Sequence, residues 1–165
     1  MTIVEADIDP LALERQVCFA LAVTNRAVLA VYRPLLEPLG LTHPQYLVML
    51  ALWDNHKSSA DRPLSVKAIA AALQLDSATL SPMLKRLEAL GLITRTRNVA
   101  DERATDISLT KAGIQLRRRA LKIPHAVVER LGVGLDELER LHHVLTRVNA
   151  AALAAGALDE GKESR

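Results

Sequence analysis

Apolar side chains recur at helical spacing from the first turns of the chain. Leu11, Val17, Cys18, Leu21, Val28 and Tyr32 line up in this way with Glu14 among them, Asp9 offers a cap ahead of Pro10, and Pro34 stops the pattern. The spacing predicts one long helix from Pro10 to Pro34, about six turns by the usual rise. After a short segment, Leu35 to Leu41, Thr42 followed three residues later by Gln45 makes a capping box that opens a second helix, Pro44 to Trp53. Residues 54–63 are polar and read as a loop. Leu64-Ser65-Val66 suits a very short strand, and Ser65 can also cap a helix from Val66 to Leu73. Gln74-Leu75-Asp76 makes a tight turn, and Asp76 or Ser77 caps a fourth helix that ends at Gly91.

From Leu92 to Arg97 the period changes to alternation, a polar turn Asn98 to Arg103 follows, and Thr105 to Leu109 alternates again. This is a β-hairpin. Two helices across a short turn are common to helix-turn-helix motifs and ordinary helical hairpins. The hairpin directly after the second of them makes the segment a winged helix-turn-helix. With Ile93 turned inward, Thr94 and Thr96 face the other way, while Arg95 and Arg97 share the face of Ile93 and must reach out past the hairpin tip. Thr110 caps a helix from Lys111 to Leu121, Pro124 interrupts, and Leu135, Leu138, Leu141, Leu145, Val148 and Ala152 mark a last amphipathic helix. Helices at both ends that cannot bury their stripes on so small a winged domain imply a partner, most simply a second copy. The expected fold is mainly α with a small β-hairpin wing. Residues 1–9 are expected to be a flexible N-terminus and 154–165 a flexible tail. Between them lies one domain, 10–153, with dimerisation helices in 10–41 and 111–153 and a winged DNA-binding lobe in 42–110.

Composition narrows the class. Half of the 165 residues are apolar, enough for a sizeable core, and the formal charge of +2 is too mild to identify a polyanionic partner. A single cysteine excludes an intrachain disulfide and a zinc cluster, and no cofactor site is legible. No apolar run approaches the roughly 18 residues that span a bilayer, and the acidic start MTIVEADIDP lacks the basic and apolar regions of a signal peptide. The expected location is therefore a reducing cytoplasm, away from membranes. Aromatic residues at 2% argue against a base-stacking single-strand binder.

The fourth helix has two faces. Leu80, Met83, Leu84 and Leu87 point inward, and Ser77, Thr79, Ser81, Lys85 and Arg86 are left outside. Short hydroxyls near a helix N-terminus suit base edges and phosphates in a major groove, and Lys85 and Arg86 suit phosphates or guanine. An ordinary solvated face has the same composition. Pro82, counted with this DNA-facing set, deletes one backbone hydrogen bond and should distort the helix locally without ending it. At the wing, Arg103 can enter a narrow minor groove, with Asp101 holding it in position. The alternative for that pair is a surface salt bridge worth at most about 1 kcal/mol. The run Arg117-Arg118-Arg119 reads as a solvated face.

These residues resemble a known family. LTHPQYLVMLALW, followed by LDSATLSPMLKRLEALGLITRTRNVADERATDISLT, is similar to the MarR family of dimeric winged-helix regulators. ERQVCFAL ahead of YRPLLEPLGLTHPQY resembles its organic-hydroperoxide-sensing branch, and the likeness spans Glu14 to Leu153. The resemblance implies a homodimer with interlocked terminal helices, each lobe meeting one half of a pseudo-palindromic DNA operator. It places the recognition helix at Ser77 to Ala89, the wing-tip arginine at Arg103, and the reactive cysteine at Cys18. That cysteine lies at the subunit boundary near tyrosines of the other chain. One matches Tyr32, the second falls on His43, and a third common position is Ala22.

The function so implied is a repressor that senses organic hydroperoxides through oxidation of Cys18 and then releases its operator. A thiol attacks peroxide only as thiolate, which burial disfavours, so donors are needed: Tyr32 supplies one hydrogen bond, and His43 another together with positive charge when protonated. Loss of the ring at Ala22 widens the pocket toward bulkier, lipid-like hydroperoxides. With one cysteine per chain, the sulfenic acid is resolved by a small thiol, as a sulfenamide, by over-oxidation, or by an intersubunit Cys18 bond if the Cα atoms lie within about 7 Å. One alternative is a MarR-type repressor relieved by a small aromatic acid, with Cys18 as hydrophobic filler. Another is a helical thiol peroxidase, for which Arg15 and Arg26 are badly placed about the sulfur. A purely structural adaptor leaves the hairpin arginines unexplained. No enzymatic activity is expected.

Overall fold

The computed structural model describes residues 9–59 and 62–158. They fall into two compact units, the first running to Pro124 and the second starting at His125. The expected flexible termini fall largely on residues 1–8 and 159–165, outside the described residues.

The first helix differs from expectation at both ends. A 3₁₀ turn, Leu13–Arg15, is separated from α1 (Val17–Leu36) by Gln16, whose backbone is extended at ψ 121°. The cause is local: Gln16 Nε2 donates to the carbonyls of Pro10 at 2.7 Å and Ala12 at 3.2 Å, satisfying them outside a helix. The Asp9 carboxylate accepts the Leu11 amide at 2.9 Å and so closes a turn instead of opening a helix. Pro34 does not stop α1, because a single missing N–H costs one bond in a helix otherwise intact. The chain runs on to Leu36 and a second 3₁₀ turn, Glu37–Leu39, before Gly40 at φ 71° ends it. Against the expectation that no apolar run is long enough, Val17–Leu39 has the length and composition to cross a membrane, with a mean hydropathy of 1.2. Its alanines, valines and leucines are interrupted only by Asn25, Thr24, Arg26 and Arg33 among polar residues ahead of Glu37.

Helix α2 (His43–Ser59) opens on the predicted capping box, with the Thr42 amide donating to Gln45 Oε1 at 3.0 Å and the Gln45 amide to Thr42 Oγ1 at 3.5 Å. It continues past the predicted end at Trp53 to Ser59, over polar residues that carry no apolar period. Asn55 Nδ2 donates to the Arg62 carbonyl at 2.6 Å. Strand β1 (Leu64–Ser65) leads into α3 (Val66–Leu73), capped by the Ser65 hydroxyl, which accepts the Ala68 amide at 3.0 Å. After Gln74, in the left-handed region at φ 53°, Asp76 caps α4 (Ser77–Ala89) through the Thr79 amide at 2.6 Å. Hydrogen bonding from Thr79 holds the Asp76 carboxyl below its ordinary range. Pro82 sits inside α4 without ending it, as predicted.

Strands β2 (Ile93–Arg97) and β3 (Thr105–Leu109) form the hairpin, with Ile93 opposite Leu109 and Arg97 opposite Thr105. Strand β1 adds to β3, giving an antiparallel sheet of order β1-β3-β2. The core beneath α4 is built from Val48, Met49, Ile69, Leu80, Leu84, Leu87, Ile93 and Ile107, all essentially inaccessible. Thr110 caps α5 (Lys111–Ala120): its hydroxyl accepts the Gly113 amide at 3.0 Å and donates to the Gly91 carbonyl at 2.6 Å. The Trp53 indole donates to the Gly113 carbonyl at 2.9 Å. These bonds tie the middle of α2 and the α4–β2 connection to the start of α5.

Pro124 does not simply interrupt. It lies in the first turn of α6 (Ile123–Leu131), where a missing N–H is tolerated. In the second unit, α7 (Leu135–Ala154) follows the predicted period, yet Leu141, Val148 and Leu145 remain 45%, 45% and 38% exposed. Val17 and Leu21 on α1 are likewise exposed, at 67% and 42%.

Candidate nucleic-acid interface and thiol site

The outward face of α4 presents Ser77, Thr79, Pro82, Lys85 and Arg86 to solvent, with Ser81 half-buried. Between α4 and the hairpin lies a groove of about 440 Å³ lined by Ser65, Lys67, Ser77, Ser81, Arg95 and Arg103 among others. Ser65 and Lys67 were not foreseen from sequence. Their signal is the short β1 strand, whose pairing with β3, Ser65 opposite Asp106, brings the start of α3 alongside the wing.

The wing turn is held by its own side chains. Asn98 Oδ1 accepts the amides of Ala100 at 2.8 Å and Asp101 at 3.0 Å, while Asn98 Nδ2 donates to Asp106 at 2.8 Å. Asp101 does hold Arg103, but by its backbone: Oδ1 accepts the Arg103 amide at 3.0 Å. The Arg103 side chain is exposed, with no ion pair among the described residues, and Arg97 is exposed as well. Arg95 differs from both. It is half-buried and does not reach past the tip, because Nε donates to Glu88 Oε2 at 2.7 Å and a terminal nitrogen forms an ion pair with the same oxygen at 2.6 Å. Those bonds hold the Glu88 carboxyl below the usual carboxylate range.

Cys18 is exposed at the second position of α1. The break at Gln16 thus moves it from mid-helix to a helix start. Tyr32 lies fourteen positions later. At the α-helical rise that is about 21 Å along the axis, so the two do not meet within one chain. Tyr32 instead packs edge-on against His43, ring centroids 4.9 Å apart, and both approach Tyr46 at 6.0 and 6.3 Å. Tyr46 was missed from sequence, although its place one turn after His43 on α2 is the readable signal.

Burial raises the pKa of Tyr32, and that of Tyr46 also, with Tyr32 adding to the latter, so both phenols stay protonated donors. Burial lowers the His43 pKa below its ordinary 6.5, so the imidazole is neutral at pH 7 and its electrostatic role is confined to acid pH. A histidine depressed in the folded state contributes stability that is complete above 6.5 and is lost as pH falls through the lowered value. His43→Gln should therefore flatten the acid side of the stability profile measured by urea titration. Coincident profiles for variant and wild type would mean that the imidazole has the same surroundings folded and unfolded.

A separate cavity of about 240 Å³ is lined by Tyr46, Trp53, Lys57, Arg117 and Pro124 among others. The arginine run is thus not a uniform solvated face: Arg117 lines this cavity, Arg118 is exposed, and Arg119 donates to the Pro38 carbonyl. Among the described residues no group of histidine, cysteine and carboxylate side chains is placed to hold a metal ion.

Residues 30–119 match the family described as transcriptional regulator SarA/Rot. The chain is also 41% identical over 141 residues to the organic hydroperoxide resistance transcriptional regulator of Bacillus subtilis, covering 86% of this chain and 92% of that one. The chain is a member of the MarR/SarA family of winged-helix transcriptional regulators. A further family relative, the regulator TtmR of Methylorubrum extorquens, is 44% identical over 133 residues, 81% of this chain and 65% of its own length. Among solved family structures, AbfR of Staphylococcus epidermidis superimposes with a TM-score of 0.69 at 31% identity, covering 86% of this chain and 94% of that one. The MarR/SarA family consists of regulators and not enzymes, which removes the thiol peroxidase.

Proposed function

We propose that the chain is a homodimeric repressor that binds a pseudo-palindromic operator and releases it when an organic hydroperoxide oxidises Cys18. The observation that carries the reading is the separation of Cys18 from the Tyr32–His43–Tyr46 cluster. The cluster offers donors to a thiol that its own chain keeps about 21 Å away, so the thiol it serves belongs to the partner. The exposed stripes of α1 and α7 supply the seam, with residues 10–41 and 111–153 dimerising and 42–110 reading DNA. The Bacillus subtilis relative is a hydroperoxide resistance regulator, and AbfR has been solved on DNA both reduced and overoxidised, and in a disulfide form. The same reading puts the chain in the cytoplasm, where operator DNA and small thiols are found.

In the DNA-bound state, Ser77, Thr79 and Ser81 enter a major groove behind the kink-tolerant Pro82, Lys85 and Arg86 meet phosphates, and Arg97 and Arg103 carry the wing along the adjoining groove. The Cys18 thiolate attacks the distal oxygen of the hydroperoxide. The O–O bond breaks, the proximal oxygen leaves as alkoxide and takes a proton to become the alcohol, and Cys18 is left as sulfenic acid. A small thiol then condenses with it, expelling water and leaving a mixed disulfide. A bulky polar group in an apolar seam shifts two lobes that half-site spacing holds to close tolerance. Operator binding measured with cumene hydroperoxide tests this: the wild-type complex should dissociate and that of Cys18→Ser should persist. A wild-type complex indifferent to the oxidant would sink the proposal.

A second reading is favoured by the cavity at Trp53, whose aromatic walls and two cations, Lys57 and Arg117, set against the single acid Asp54, suit a small aromatic acid. Release of the operator by benzoate from Cys18→Ala as fully as from wild type would select it.

A further inference from the structure

The wing is braced at two heights. Near the tip Asn98 Nδ2 donates to Asp106 across the hairpin at 2.8 Å. At the base, Arg95 in the middle of β2 reaches back to Glu88 in the last turn of α4, its Nε donating to one carboxylate oxygen at 2.7 Å and a terminal nitrogen paired with the same oxygen at 2.6 Å. Arg95 stands opposite Ile107 on β3 and on the face of Ile93, which is 1% exposed, so its stem lies toward the body of the lobe and its head toward the recognition helix. The bond spans the tight α4–β2 connection at Gly91, a left-handed residue at φ 72°. It therefore closes a small ring between the element that would enter the major groove and the element that would carry Arg103. Glu88, unpaired, would be an acid on the recognition helix beside approaching phosphates.

We propose that Arg95 is a positioning residue of the DNA interface. Held by Glu88, it sets the angle between recognition helix and wing so that the Ser77 to Lys85 face and Arg103 engage the duplex together, and it makes no phosphate contact of its own. This rests on the DNA-binding reading above. An arginine already neutralised by a carboxylate releases no counterion when DNA arrives, whereas one that meets a phosphate does. The two roles differ in salt dependence and not only in affinity.

The test is fluorescence anisotropy with the duplex that the wild-type protein selects from a randomised pool, across a range of potassium chloride. Arg103→Gln should lower the slope of log affinity against log salt by about one. Arg95→Gln and Glu88→Gln should each weaken binding about fivefold with the slope unchanged. The double variant should be no weaker than either single, and the exchange Glu88→Arg with Arg95→Glu should recover most of the loss, with melting temperatures measured alongside. A slope lowered by Arg95→Gln as by Arg103→Gln, or tighter binding by Glu88→Gln, would overturn the assignment and make Arg95 a phosphate contact. Wild-type protein that selects no duplex in a salt-dependent way would instead remove the DNA-binding reading, and this inference with it.

Discussion

Gly113→Ala should destabilise the protein by about 3 kcal/mol, although alanine is the better helix former by about 1 kcal/mol. Gly113 lies in the first turn of α5, and a Cβ there would sit 2.1 Å from the Leu92 carbonyl oxygen and 3.2 Å from a Leu109 methyl. The carbonyl cannot yield, because it already accepts the Thr110 amide at 3.0 Å. Making room means lifting α5 from the α4–β2 connection, which strains the Thr110 bond to Gly91 and the Trp53 bond to the Gly113 carbonyl together. Thermal unfolding followed by circular dichroism should show a fall of about 10 °C for a chain of this size. A melting temperature at or above that of wild type would mean that the junction is not a close-packed joint. Trp53→Phe, which keeps one aromatic ring but removes the donor and part of the indole's volume, should lose a smaller part of the same stability, about 2 kcal/mol.

Arg103→Ala should weaken operator binding by about 1–3 kcal/mol, roughly 5- to 150-fold. The reason is that nothing else in the wing uses this side chain. Asp101 and Asn98 hold the turn through backbone amides, leaving the guanidinium unspent at the tip. Lys85→Ala, which on the proposed reading removes one phosphate contact without a groove-inserted group, should cost less while lowering the salt slope by about one. Titration of the selected duplex at fixed salt measures both affinities, and the same titration across a range of potassium chloride measures the slope. Equal affinity of Arg103→Ala and wild type would place the wing off the DNA and confine recognition to α4.

These outcomes rest on features of unequal visibility. The caps at Thr42, Ser65, Asp76 and Thr110 are readable because each donor–acceptor pair lies three residues apart. The hairpin is readable because its period changes from helical to alternating at Leu92 and returns at Lys111. The inward stripe Leu80, Leu84 and Leu87 follows from helical spacing alone. By contrast, the break at Gln16 depends on a glutamine turning back on carbonyls four and six residues behind it, a choice that composition does not signal. The extension of α2 and the start of α6 at Ile123 were obscured by polar residues and by a proline that reads equally as a stop or a first turn.

For the functional residues the division is similar. Cys18, Tyr32, His43 and the outward set of α4 are visible as residue types at given positions in a pattern. Their relations are not. Cys18 lies at a helix start because of Gln16, Tyr46 joins Tyr32 and His43 by packing between α1 and α2, and Arg95 turns to Glu88 although alternation points it past the tip. Ser65 and Lys67 reach the wing groove only through the pairing of β1 with β3. Short-range forces, namely caps, periodicity and turn chemistry, act between residues a few positions apart, and they suffice for a winged helix with its reading face outward. Where an arginine spends its charge, which glycine must remain bare and which rings share a cluster depend on residues far apart in the chain. Those contacts exist only once the apolar faces have packed and set the distances between them.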